Sequence, residues 1–272
     1  MATFAGTLAR ETSPHPVSRP RAQAGDRWIF AFMAAMFILL SLLGFVPDSL
    51  TKIAAVAAGK RHHFPLIMHI HAVLMGAFLA VLLAQAVLAT TGRAALHRRL
   101  GVIAALLVPV MVVVGIILVP TTYRYVWDAA QHAPAGMRAE LQRAVFRRDD
   151  VMLLQLRMGV LFPLFMAIGL RARKTDTALH KRMIILAVAM LLPPAIDRIL
   201  WLPSTLPASP LSAELFILLA VSPMLIRDLV RSHAVHKAYL IWLGINLPFA
   251  VAVHGLWGTT WWYSVAPGLM MV

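Results

Sequence analysis

Seven runs of apolar residues alternate with short polar connections along the chain, covering 28–46, 64–90, 100–119, 151–170, 183–201, 211–226 and 239–263. An α-helix rises about 1.5 Å per residue, so about 20 residues cross the hydrocarbon core of a bilayer. The pattern predicts an all-α, polytopic integral membrane protein with seven transmembrane helices in one bundle. Residues 1–27 hold four arginines among Ser, Pro and Gly and no apolar run, and are expected to form a disordered cytoplasmic tail. Residues 28–263 form the transmembrane domain, and 264–272 a short C-terminal tail.

Composition agrees with hydropathy: 60% of the residues are hydrophobic and 13% charged, more apolar surface than a soluble domain carries. The net charge of +14 does not indicate nucleic acid, because the basic residues lie between apolar runs rather than along one soluble face. With no cysteine, disulfides, cysteine-ligated iron–sulfur clusters and thioether-attached haem are excluded. No cleavable signal peptide is expected, and the first span serves as an uncleaved start signal.

Orientation follows from Lys and Arg in alternate connections. The tail, 91–99, 171–182 and 227–237 carry 15 of them, and 47–63 with 120–150 carry 8. The bias places the N-terminus in the cytoplasm, the C-terminus outside, and the protein in the plasma (inner) membrane. Trp201, Trp257, Trp261, Trp262 and Tyr263 are then expected at the outer interface, with Trp28 and Trp242 at the inner one. The long connection 120–150 is expected to carry a short interfacial helix over 137–148.

The chain also echoes itself. Leu96-His97-Arg98-Arg99-Leu100 opens the third span and Leu179-His180-Lys181-Arg182-Met183 the fifth, 83 residues later. Spans two–three and four–five therefore read as duplicated helical hairpins with both corners at the cytoplasmic surface. There the basic residues meet anionic lipid heads, and each histidine can bond a backbone carbonyl or an anion.

A second set of polar residues lies within the apolar runs: His69, His71, Arg157, Asp197, Arg198 and His254. Ionisable groups at membrane depth are costly and mark functional sites. His71, Arg157, Asp197, Arg198, His254 and Glu214 are expected to converge at one level in the outer half. Arg157 is expected to neutralise Asp197, and Arg198 to pair with Glu214 or reach the outer surface. On the second helix, Phe64, Met68, His71, Met75, Phe78, Leu82 and Gln85 make one stripe. His69, Gly76, Ala80 and Ala84 make another, suited to close helix contact. His71 is thus expected to face the bundle interior and His69 not.

There is no phosphate-binding Gly-rich loop, His-Glu-x-x-His, Gly-x-Ser-x-Gly or hydrolytic carboxylate pair. The run from Phe64 through His71, Met75, Gln85, Thr91-Gly92-Arg93 and Leu96 to Gly101, with Leu179 to Met183 and Ala195-Ile196-Asp197-Arg198, resembles an uncharacterised family of bacterial multi-pass membrane proteins. More remotely, His71, Met75 and Gln85-Ala86 are similar to the second helix of the ascorbate-dependent transmembrane cytochromes with two b haems. That resemblance implies haem b held by histidines of neighbouring helices and electron transfer across the membrane. With His97 and His180 at helix ends, it implies one haem at most. His71 and His254 would be its iron ligands, and Arg157 or Arg198 would meet its propionates. Three classes follow: a haem- or quinone-linked redox protein, a non-catalytic subunit or assembly factor of a larger membrane complex, and a small-molecule or ion transporter using Asp197, Arg157 and His71.

Overall fold

The computed structural model describes residues 24–272, with side chains from residue 28 onward, so the expected tail falls almost wholly outside the described residues. Among them every regular element is helical: α1 Ala24–Ala57, α2 Leu66–Thr90, α3 Ala94–Gln131, α4 Arg138–Ala172, α5 Thr177–Ala189, α6 Pro193–Ile196, α7 Leu211–Ser232, α8 Lys237–Leu256 and α9 Thr260–Leu269. Five helices, α1 to α4 and α8, are long and apolar enough to cross a membrane. Their many lipid-sized side chains on the outside, such as Leu106, Ile116, Leu247 and Val251, are what a bilayer-embedded surface requires.

The fifth apolar run does not make one spanning helix. Pro193 and Pro194 lack the N–H groups that would continue the helical hydrogen-bond ladder, and α5 stops at Ala189. The chain passes through tight turns, Leu191 N–H donating to Val188 O at 2.9 Å and Leu192 N–H to Ala189 O at 3.2 Å, before α6 begins. At 13 residues α5 is about 20 Å long. Leu186, Ala187, Val188 and Ala189 are fully enclosed, and α1, α4, α7 and α8 pack around the helix. The second half of α5, from Met183 to Ala189, has no polar face and belongs in a bundle centre. Across the break lies α1, whose Gly44 sits so close to the backbone that a Cβ would overlap the Ala195 carbonyl oxygen.

Two further expectations are corrected. Residues 120–150 are not a connection carrying an interfacial helix: α3 and α4 run on as helices and turn only at 132–137. At 38 residues α3 is about 57 Å long, well beyond the membrane core. The polar residues that look like a loop are ties across this hairpin: Tyr123 donates to Asp149 Oδ1 at 2.7 Å, and Arg148 to the Thr122 hydroxyl. The seventh run ends at Leu256, where Gly258 (φ 72°) turns the chain into α9, so 264–269 are helical rather than a tail. Asp150 holds that turn through Gly258 N–H at 2.8 Å and the Tyr263 hydroxyl at 2.9 Å, and Trp262 Nε1 donates to Asp149 O at 2.8 Å. Trp262 and Trp242 are therefore packed inside, whereas Trp28, Trp201 and Trp261 are exposed.

Candidate functional site

At the α2–α3 end the sequence echo becomes a structural one. His97 Nδ1 lies 3.2 Å from Gln85 O, and Gln85 Nε2 returns a bond to His97 O at 3.0 Å. His180 Nδ1 lies 2.8 Å from Gly169 O. A carbonyl only accepts, so in both rings Nδ1 carries the proton and donates. Each histidine therefore staples its helix to the one before it, at about 1 kcal/mol per neutral bond. Gln85 and Gly169 are 84 positions apart, as are Phe78 and Phe162, whose rings meet edge to face at 5.7 Å between α2 and α4.

The basic neighbours of these histidines divide. Arg98 and Arg99 are exposed, and Lys181, also exposed, lies 5.9 Å over the Phe30 ring. Arg182 does not face lipid heads, because its Nε and Nη2 hold both oxygens of Asp228 at 2.6 and 2.8 Å. Asp228 is 4% exposed and also accepts from Tyr239 at 2.7 Å and Arg227 at 3.1 Å. Nearby, Asp176 caps α5 through Leu179 N–H at 2.9 Å and meets Lys237 Nζ at 2.7 Å. The Lys237 ammonium, with that N–H, holds its carboxyl below the usual range.

At the other end the outer-half set separates. Arg157 pairs with Glu214, not Asp197. Asp197 accepts from Ser204 at 3.2 Å, and Arg198 meets Asp48 Oδ2 at 3.1 Å. The break at Pro193 causes this rearrangement, since Asp197 lies beyond α6 on an exposed turn rather than on a helix face toward α4. Because Arg157 is buried, its charge needs Glu214. Glu214→Gln should lower thermal stability by about 3 kcal/mol, and Asp197→Asn by less than about 0.5 kcal/mol. Replacing Arg157 and Glu214 together should recover much of the loss, and thermal unfolding of the single and double variants in detergent gives the coupling.

His71 faces inward with the stripe that carries Met75 and Gln85, while His69 is exposed and packs on Phe64 at 6.2 Å. Gln155 of α4 lies 84 positions after His71, the offset that also separates Phe78 from Phe162, and His71 Nδ1 and Gln155 Oε1 are both buried without partners. His254 stands elsewhere. It lines a groove between α7 and α8 with Glu214, Trp242 and Asn246. On α4, Gln155 and Phe162 share the α2 side, whereas Arg157, about 200° round from Gln155, carries α7 through Glu214. His71 lies on α2, which meets α4 through Phe78 and Phe162, and His254 lies on α8, which also packs on α4. Among the described residues no group of three or more His, Cys, Asp or Glu side chains is placed to hold a metal ion.

The groove has a volume of about 600 Å³, with Ile217, Leu218, Leu243, Leu247, Ala250 and Val251 as its apolar walls. Leu218, Leu243, Leu247 and Val251 are exposed, so it opens sideways, where lipid would be. Trp242 is 2% and Asn246 6% exposed, and the Trp242 Nε1–H donor and Asn246 Oδ1 acceptor have no partner in the protein. Attention to ionisable residues alone misses both, although Asn246 is an amide inside an apolar run and that is a readable signal. Comparison with family models, curated proteins and solved structures finds no match for this chain.

Proposed function

We propose that this integral membrane protein binds a lipid-soluble quinone in the α7–α8 groove and serves quinone-linked electron transfer. The observation that carries the reading is that Trp242 and Asn246, which line an apolar groove open to lipid, each hold a buried polar atom without a partner. Buried polar groups without partners are rare and need an explanation. A quinone carbonyl accepts from Trp242 Nε1–H, and a quinol hydroxyl donates to Asn246 Oδ1. The apolar walls take the ring and tail, as in most small-molecule sites. His254 and Glu214 also line the groove, and Arg157 pairs with the Glu214 carboxylate.

Protein purified in neutral detergent should carry quinone enriched over the extracted phospholipid. Paired Asn246→Leu and His254→Ala substitutions should lower that enrichment about tenfold, a loss of about 1.4 kcal/mol in binding. Wild-type protein with no enrichment would contradict the reading.

A second reading, a subunit of a larger membrane complex, is favoured by the α2 face of His69, Ala72, Gly76 and Ala80. These residues are exposed, and Gly76 has nothing near its Cβ position. Small residues are the surface on which membrane helices meet. Both readings share the orientation inferred from the charge bias. Reporters fused at Thr175 should be cytoplasmic and those at Ala135 external, and the reverse would invert the topology.

A further inference from the structure

The α8 helix begins at a histidine that accepts rather than donates. His236 is its N-cap: Nδ1 takes the Ala238 N–H at 3.1 Å, while His236 O takes the Tyr239 N–H at 3.0 Å. An imidazole nitrogen accepts only while it carries no proton, so His236 is neutral with its hydrogen on Nε2. Three other histidines are bonded the other way. His97, His132 and His180 each present Nδ1 to a carbonyl oxygen, and a second proton at Nε2 leaves those bonds intact. Acid therefore breaks the His236 bond and spares theirs.

Two features make that loss felt. Ala238 is 0% exposed, so its amide has no water to turn to. An imidazolium would also sit at the positive end of the α8 dipole, and no acidic residue stands in the first turn. α8 packs on α4 and α5 and reaches α7 through Tyr239, whose hydroxyl donates to Asp228 at 2.7 Å. Around the cap, Lys237 is met by Asp176 at the start of α5, and Arg182 of α5 and Arg227 of α7 are met by Asp228. Exposed Lys181 lies on α5, exposed Arg231 and His233 end α7, and exposed Arg171, Arg173 and Lys174 end α4. Burial, and then the Arg182 charge, hold the His236 ring below its ordinary range. The folded ring thus titrates below the unfolded one, so the stability this cap supplies is full above about pH 6.5 and is lost as pH falls from there through the folded value.

We propose that His236 is a pH-sensitive latch: protonation at Nδ1 uncaps α8 and loosens its first turn from the Asp228 cluster to which Tyr239 ties it. The same helix carries Trp242 and Asn246, so the latch governs one wall of the α7–α8 groove. This holds whatever the groove binds, and either proposal can fail alone.

The test is hydrogen exchange of the full chain in neutral detergent, read on peptides covering 237–243 and expressed as protection, which removes the intrinsic pH dependence of exchange. Wild-type protection should fall about fivefold between about pH 7.5 and about pH 5, the worth of an N-cap bond, while the enclosed segment 185–189 of α5 should hold. His236→Asn supplies a cap that does not titrate and should stay protected at both pH values. His236→Ala has no cap and should be unprotected at both. His233→Asn, on the exposed turn before α8, should respond like wild type. If His236→Ala does not fold, His236→Asn decides alone. The proposal is overturned by wild-type protection that does not change with pH, by an equal fall in both segments, by a folded His236→Ala protein as protected as wild type at neutral pH, or by a fall in His236→Asn as large as in wild type.

Discussion

Gly44→Ala should lose most of its folded yield, and Gly44→Leu all of it. A Cβ at this position meets the Ala195 carbonyl oxygen, a backbone atom within α6 that follows Pro193-Pro194. Neither rotamer change nor a flexible side chain can relieve the overlap, so the helices must separate. Overpacking of a close-packed interior costs about 1–3 kcal/mol, and collision with backbone belongs at the upper end or beyond. The control is Gly76→Ala on α2, where nothing lies near the added carbon and removing a helical glycine gains up to about 1 kcal/mol. Yield and thermal unfolding of the two alanine variants measure the difference. Equal stability would mean that α1 does not cross the break as described.

The second large effect is expected at Asp228. Asp228→Asn removes the charge that holds Arg182 and Arg227 and weakens the acceptor for Tyr239, leaving the half-buried Arg182 guanidinium poorly compensated. Breaking a buried pair from one side costs about 3–5 kcal/mol. Replacing the pair by apolar groups, Asp228→Leu with Arg182→Met, should restore most of it, because the desolvation cost then disappears from both sides. Thermal unfolding of the two forms checks this. A double variant as unstable as Asp228→Asn would show that Asp228 acts mainly through Tyr239.

These sites mark what the sequence could and could not reveal. Hydropathy located α1 to α4 and α8, because a bilayer demands long apolar runs whatever the neighbours. Both Leu-His-basic-basic corners carry a histidine that bonds a backbone carbonyl of the preceding helix. The inward stripe of α2 was legible from spacing alone. Helix ends were not. Thr122, Tyr123, Arg148 and Asp149 look like a polar loop until they are seen to bond one another across a hairpin. Pairings were also hidden, because Arg157 and Glu214 lie 57 residues apart and local pattern carries no information at that range. The fifth run read as one span although it holds Pro193-Pro194, and the consequence of its break, the removal of Asp197 from the α4 face, depended on where the next element packs. The groove lay beyond reach for a similar reason: Glu214 comes from one helix and Trp242, Asn246 and His254 from another.

The central claim is that the α7–α8 groove holds a quinone. Photolabelling with a quinone analogue carrying an azide on its ring, in protein reconstituted into bilayers, tests it most directly. Labelled peptides should concentrate in 214–218 and 242–255 and should disappear with excess unlabelled quinone. Labelling spread evenly over the lipid-facing sides of α1, α2 and α3, unchanged by competitor, would contradict the account.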